Sequence, residues 1–210
     1  MPTETDAPYV PIRSTAWPQR RVPRSLYLAA AGFLAVAVAV ALVHKPSASE
    51  KASDLRGFLT EVTTDIESCA AGVGESLTAL RQVQSGASDT ATDVSDGINV
   101  AEYGAANCEP ATNEQIDDLE NYQVPESLFS YRLVGVVSAL VNWAVPDAER
   151  VQTDVANVLA APTPQARSAA ESQLTAALVV LNKQRSEIDS VINAAIRDLK
   201  VHESGPRLPG

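Results

Sequence analysis

The sequence predicts an all-α protein: a single transmembrane helix followed by an extracytoplasmic, antiparallel four-helix-bundle-like domain. Three observations carry this. An apolar run without a single charge, SLYLAAAGFLAVAVAVALV, occupies residues 25–43. Beyond residue 53, apolar side chains recur at threes and fours along several long stretches, the spacing of one buried helix face. Ala, Val and Leu are abundant while aromatics make up only 5% of the chain. A core of small aliphatics suits closely packed helices better than a sheet, which favours β-branched and aromatic residues.

The apolar run has the length of a membrane span. Nineteen residues at 1.5 Å rise cover about 28 Å, close to the hydrocarbon thickness of a bilayer. Arg20, Arg21 and Arg24 precede it, whereas Lys45, Lys51 and Arg56 after it are offset by Glu50 and Asp54. The positive-inside tendency then places the amino terminus in the cytoplasm and the domain outside. A cleavable signal peptide is the competing reading, because Ala37-Val38-Ala39 and Ala39-Val40-Ala41 have the small-x-small form of a cleavage site. Both lie inside the apolar run, and the run and the arm before it exceed the usual signal dimensions, so an uncleaved anchor is expected. Ala31, Ala35 and Ala39, spaced four apart, would allow close helix contact and a homo-dimer. A second apolar segment, Ser127–Val145, is divided by Arg132 and reads as a buried core helix rather than a span.

Taken in order, residues 1–24 form a Pro- and Arg-rich cytoplasmic arm, expected to be disordered, and residues 44–52 a linker. Residues 53–201 make the helical domain, and residues 202–210 a disordered tail. Within the domain, Leu55, Phe58, Leu59, Val62, Ile66, Cys69, Val73, Leu77 and Leu80 form one stripe on a helix over about 50–84, with Glu61, Asp65, Glu67 and Arg81 off it. Ser85-Gly86-Ala87-Ser88 breaks that helix. A second runs from about Asp89 to Asn107, and a short turn covers Asn113–Leu119 with Ile116 and Leu119 inward. Pro125 is expected at the first position of a third helix, which Pro146 kinks or divides. The last helix, about Gln165–Val201, carries Leu174, Leu181, Ile188 and Ala195 in one heptad position and Leu178, Arg185, Ile192 and Leu199 in the other.

Charge and chemistry narrow the function by exclusion. The net charge is −10, from +2 over residues 1–24 and −12 over the rest. An acidic domain repels nucleic acid, and no nucleic-acid partner is expected. His44 and His202 lie far from any carboxylate or thiol at ligand spacing, so neither a metal site nor a catalytic triad is predicted. No phosphate-cradling glycine loop is present, and no cofactor is expected. Asp89, Asp93 and Asp96 have the wrong spacing for a calcium loop. The two cysteines read as a staple. Folding the first two helices back at Gly86 puts Cys69 and Cys108 at similar levels, and an even pair in an exported domain is expected to form a disulfide. Tyr131 and Trp143, in the aromatic-rich part of the domain, and Arg185, on an otherwise apolar stripe, are the candidates for a ligand or partner surface.

With its Pro/Arg arm, Ala/Val anchor, Cys69–Cys108 pair and the helix entry Val124-Pro125-Glu126-Ser127, the chain resembles single-pass membrane proteins of high-GC actinobacteria. The resemblance implies a cell-membrane location and no particular activity. The expected function is non-enzymatic: a membrane-anchored module held in the lipid bilayer by residues 25–43, binding a protein or another component of the cell envelope. The alternative is a small-molecule or lipid carrier with a cavity near Tyr131 and Trp143.

Overall fold

A computed structural model describes residues 45–86 and 91–209. The arm and the apolar run at 25–43 lie outside the described residues. Among those described, no helix is long and apolar enough to cross a membrane, and every regular element is helical.

Helix α1 spans Ala48–Gln84. Its start is specified locally. The Ser47 side chain accepts from the Glu50 backbone N–H at 3.1 Å, and Glu50 Oε2 accepts in return from the Ser47 N–H at 3.3 Å, a reciprocal cap for two otherwise orphaned donors. The helix therefore begins inside the linker expected over 44–52, because Ser47 supplies the cap. At the far end Gly86 takes a left-handed φ of +68°, the conformation glycine adopts most cheaply after a helix. Helix α2 (Ala91–Ala106) returns along α1: Gly97 faces Ala79, and Gly104 faces Gly72. Helix α3 (Glu114–Asn121) is capped by Asn113 and buries Ile116 and Leu119 completely.

The third predicted helix is not continuous. Glu126–Tyr131 form a 3-10 turn, with Pro125 just before it rather than within it. Arg132 then adopts φ +60°, ψ 22°, and helix α4 starts afresh at Leu133, running to Asn142. A left-handed residue cannot be carried inside a right-handed helix, so the chain changes direction at Arg132. Trp143–Ala148 make a π-helical segment containing Pro146, followed without a break by α5 (Glu149–Ala160). Proline removes a backbone donor and crowds the preceding turn. The wider π turn absorbs this and shifts the helix register. Pro146 thus neither ends nor divides the helix.

Helix α6 (Pro164–Leu199) is capped by Thr163 and ends at Lys200 in the left-handed region. At 1.5 Å per residue, α1 and α6 are each about 54 Å long. They run antiparallel: Gln84 approaches Glu171 at 3.5 Å, and Arg56 pairs with Glu203 at 3.9 Å. Helix α5 packs on both α2 and α6. The Leu174 heptad row is buried throughout, whereas Leu178, Arg185 and Leu199 in the other row are half-buried, so α6 presents one inward stripe rather than a two-row coiled-coil seam.

The tail departs from expectation. Residues 202–209 fold back along α1 instead of fraying, with Pro206 and Leu208 buried. Apolar side chains supply the reason: Gly205 lies against Ile192, and the turn at Lys200 directs the chain back onto exposed parts of α1.

Candidate functional site

Helices α1 and α2 approach closely at Gly72 and Gly104. A Cβ on Gly72 would stand 2.9 Å from the Gly104 Cα, and one on Gly104 would stand 2.1 Å from Gln152 Oε1. Only hydrogen at both positions permits this approach. Beside it, Cys69 and Cys108 form a disulfide, with an S–S distance of 2.03 Å and Cα atoms 4.6 Å apart. Gln152 of α5 is fully buried over the pair, its Nε2 donating to Cys108 Sγ at 3.2 Å. Its Oε1 has no hydrogen-bond partner. The disulfide, the glycine contact and Gln152 thus tie three helices at one level. Both sulfurs are enclosed, which suits a structural bridge; a redox site keeps an exposed, low-pKa thiol.

Acidic groups gather one to two turns nearer the start of α1. Asp65 is only 7% exposed, and its Oδ2 lacks a hydrogen-bond partner. Burial, then the charges of Glu61 and Asp118, push its carboxyl up to about 6. The Tyr122 hydroxyl is pushed up too, first by burial and then by Glu61, Asp65 and Asp54. Its ring meets Phe58 edge-on at 5.8 Å. Asp65 does not fall off the apolar stripe as the sequence reading has it. It lies seven residues after Phe58 and seven before Gly72, in phase with two residues that face neighbouring helices, and this spacing is the signal that places it inward. Among the described residues, no group of three or more His, Cys, Asp or Glu is arranged to hold a metal.

The three residues expected to share a ligand or partner surface have separate surroundings. Trp143 is wholly enclosed, so it presents no face to a partner; it continues the buried spacing of Val136 and Leu140. Tyr131 is half-buried, with Lys51 Nζ 5.9 Å from its ring centroid. Arg185 donates to the Leu208 carbonyl at 3.4 Å. A guanidinium on an apolar stripe is thereby explained: it holds the returning tail. Between that tail and α1 lies a groove of about 540 Å³, lined by Ile66, Ala70 and residues 204–209 among others.

Two exposed apolar surfaces stand elsewhere on the domain. On α6, Val179 is 66% and Val180 45% exposed, within Ser172–Asn182, a stretch without one charged residue. At the turn between the 3-10 segment and α4, Phe129 is 56% and Val134 53% exposed. The charge-free stretch was open to notice. Phe129 belongs to the aromatic-rich part already noted in the sequence, whereas Val134, at helical spacing with Val137 and Val141, gave no sign that the break at Arg132 would leave it exposed.

No protein-family model, curated protein or solved structure matches the chain.

Proposed function

We propose that the chain is a non-enzymatic, membrane-anchored module whose antiparallel bundle-like domain stands outside the cytoplasm and engages a protein partner of the cell envelope through α6. The observation that carries the partner is the Val179–Val180 face. It is apolar, exposed and set in an uncharged stretch, and depletion of charge with retention of apolar contact marks the centre of protein interfaces. The arginine-flanked run at 25–43 supports the anchor. The disulfide supports an oxidising compartment. Its resemblance to actinobacterial single-pass membrane proteins points to the same location.

The test places a photocrosslinking residue at Ala176, one turn from Val180, in intact cells. A discrete heterologous protein adduct is expected, lost in Val180→Asp while the thermal transition is unchanged. Absence of any adduct contradicts the reading, and an adduct of two copies assigns the face to a homo-dimer instead. A carrier of small molecules or lipids is the second reading. It is favoured by the groove beside the tail, whose volume falls in the range of small-ligand sites and whose lining includes neither Tyr131 nor Trp143.

A further inference from the structure

Phe129 and Val134 lie on one turn, and their exposure follows from its geometry. The N–H of Arg132 donates to the Phe129 carbonyl at 3.3 Å, and the left-handed φ of Arg132 breaks the helical path there. Leu128 and Leu133, the neighbours of the two exposed residues, are fully buried. The turn therefore pins itself to the core by Leu128 and Leu133 and directs Phe129 and Val134 to solvent.

The turn belongs to the end of the domain where α1 begins. The Ser127 hydroxyl hydrogen-bonds the Asp54 carboxylate, and Tyr131 lies under Lys51. Both α1 partners are within two turns of Ala48. Between Val43, the last residue of the apolar run, and Ala48 only residues 44–47 intervene. Fully extended, that connection covers about 17 Å. A bilayer holding the run is thus within short reach of this end of the domain, whereas other exposed apolar side chains lie farther along. Tyr103, 72% exposed, sits beside the Gly72–Gly104 contact, about 36 Å along α1 from Ala48 at 1.5 Å per residue.

We propose that the Phe129–Val134 turn is a membrane-contacting apex, its two apolar side chains entering the headgroup–acyl boundary of the outer leaflet. The proposal rests on the anchor reading and adds a second point of attachment to the membrane. An aromatic side chain beside an aliphatic one suits that boundary. The local charges carry no basic excess: Lys51 and Arg132 stand with Glu50, Asp54 and Glu126. Attraction to lipid phosphate therefore contributes little, and apolar burial drives the contact.

The test uses the full chain in nanodiscs of phosphatidylethanolamine and phosphatidylglycerol. Benzoylphenylalanine replaces Phe129, Val134 or, as the distant control, Tyr103. After illumination, mass spectrometry should find lipid adducts at 129 and 134 at least tenfold above those at 103, with yields unchanged between low and high salt. Phe129→Asp should lower the yield at 134 several-fold while the disulfide and thermal transition persist. Equal yields at all three positions in a chain that resists carbonate extraction overturn the apex and leave the anchor standing. Predominant adducts to protein at 129 and 134 overturn it as well. Extraction of the chain by carbonate defeats the anchor reading, and the apex with it.

Discussion

Gly72 and Gly74 are two residues apart on α1, yet a methyl group has opposite consequences at each. At Gly72 it meets the Gly104 backbone at 2.9 Å, while at Gly74 nothing lies within 4 Å. Overpacking against backbone costs about 1–3 kcal/mol, and removing a helical glycine from open space returns up to about 1 kcal/mol. Denaturant unfolding should therefore find Gly72→Ala less stable than the parent and Gly74→Ala as stable or more so. Asp65 gives a second contrast, in pH. Its folded carboxyl is raised from 3.8 to about 6, so the folded state binds the proton more tightly than the unfolded chain. Its contribution to stability then falls as pH rises from about 4 to 6 and stays low above that. Asp65→Asn should exceed the parent at pH 7 by up to about 3 kcal/mol, the advantage shrinking toward zero near pH 4; a constant difference across that range contradicts the assignment. The sequence marks the buried position of Asp65 through its heptad phase with Phe58, but a carboxylate there looks like a solvated face until α3 is seen to bring Asp118 beside it.

Helices held by regular stripes were legible from sequence, and those shaped by single backbone conformations were not. Leu55 to Leu80 on α1 and Leu174 to Ala195 on α6 repeat at helical spacing, and both helices form with ends within a few residues of those expected. Across Pro125–Val145 the same spacing fits one helix or two. The division is made by Arg132 in a conformation usually left to glycine or asparagine, for which the residue type gives no hint. Nor does a proline reveal whether it will kink a helix or sit in a π turn, as Pro146 does. The disulfide was legible because Gly86 marks the fold-back between its two cysteines. It spans a sequence separation of 39, and closing a loop of that size in the unfolded chain is worth about 4 kcal/mol in the chain-entropy model. Cys69→Ala with Cys108→Ala should lower unfolding free energy by roughly that amount. The tail was misread because a short polar end carrying two prolines resembles disorder, and only its contacts with α1 and α6 order it. Leu208→Ala should cost about 2 kcal/mol and raise proteolysis of the last residues, measured by limited digestion and mass spectrometry; unchanged stability would place the tail's contribution elsewhere.

At the scale of the whole molecule, the anchor expected from the apolar run at 25–43 precedes a helical domain by only a few residues. Arg20, Arg21 and Arg24 just before the apolar run set the expected orientation. The folded domain adds a buried disulfide, an uncharged apolar face on α6 and an exposed turn at the end where α1 begins. The proposed function was least legible because it would rest on surfaces, and a surface leaves no motif at fixed spacing. The most direct test of the central claim is protease protection of the full chain, carrying an epitope at each end, in intact spheroplasts. The account predicts loss of the carboxy-terminal epitope and survival of a small membrane-bound fragment that retains the amino-terminal one. A carboxy-terminal epitope protected until the membrane is permeabilised would contradict it, as would a mature chain released into the medium without its amino-terminal epitope.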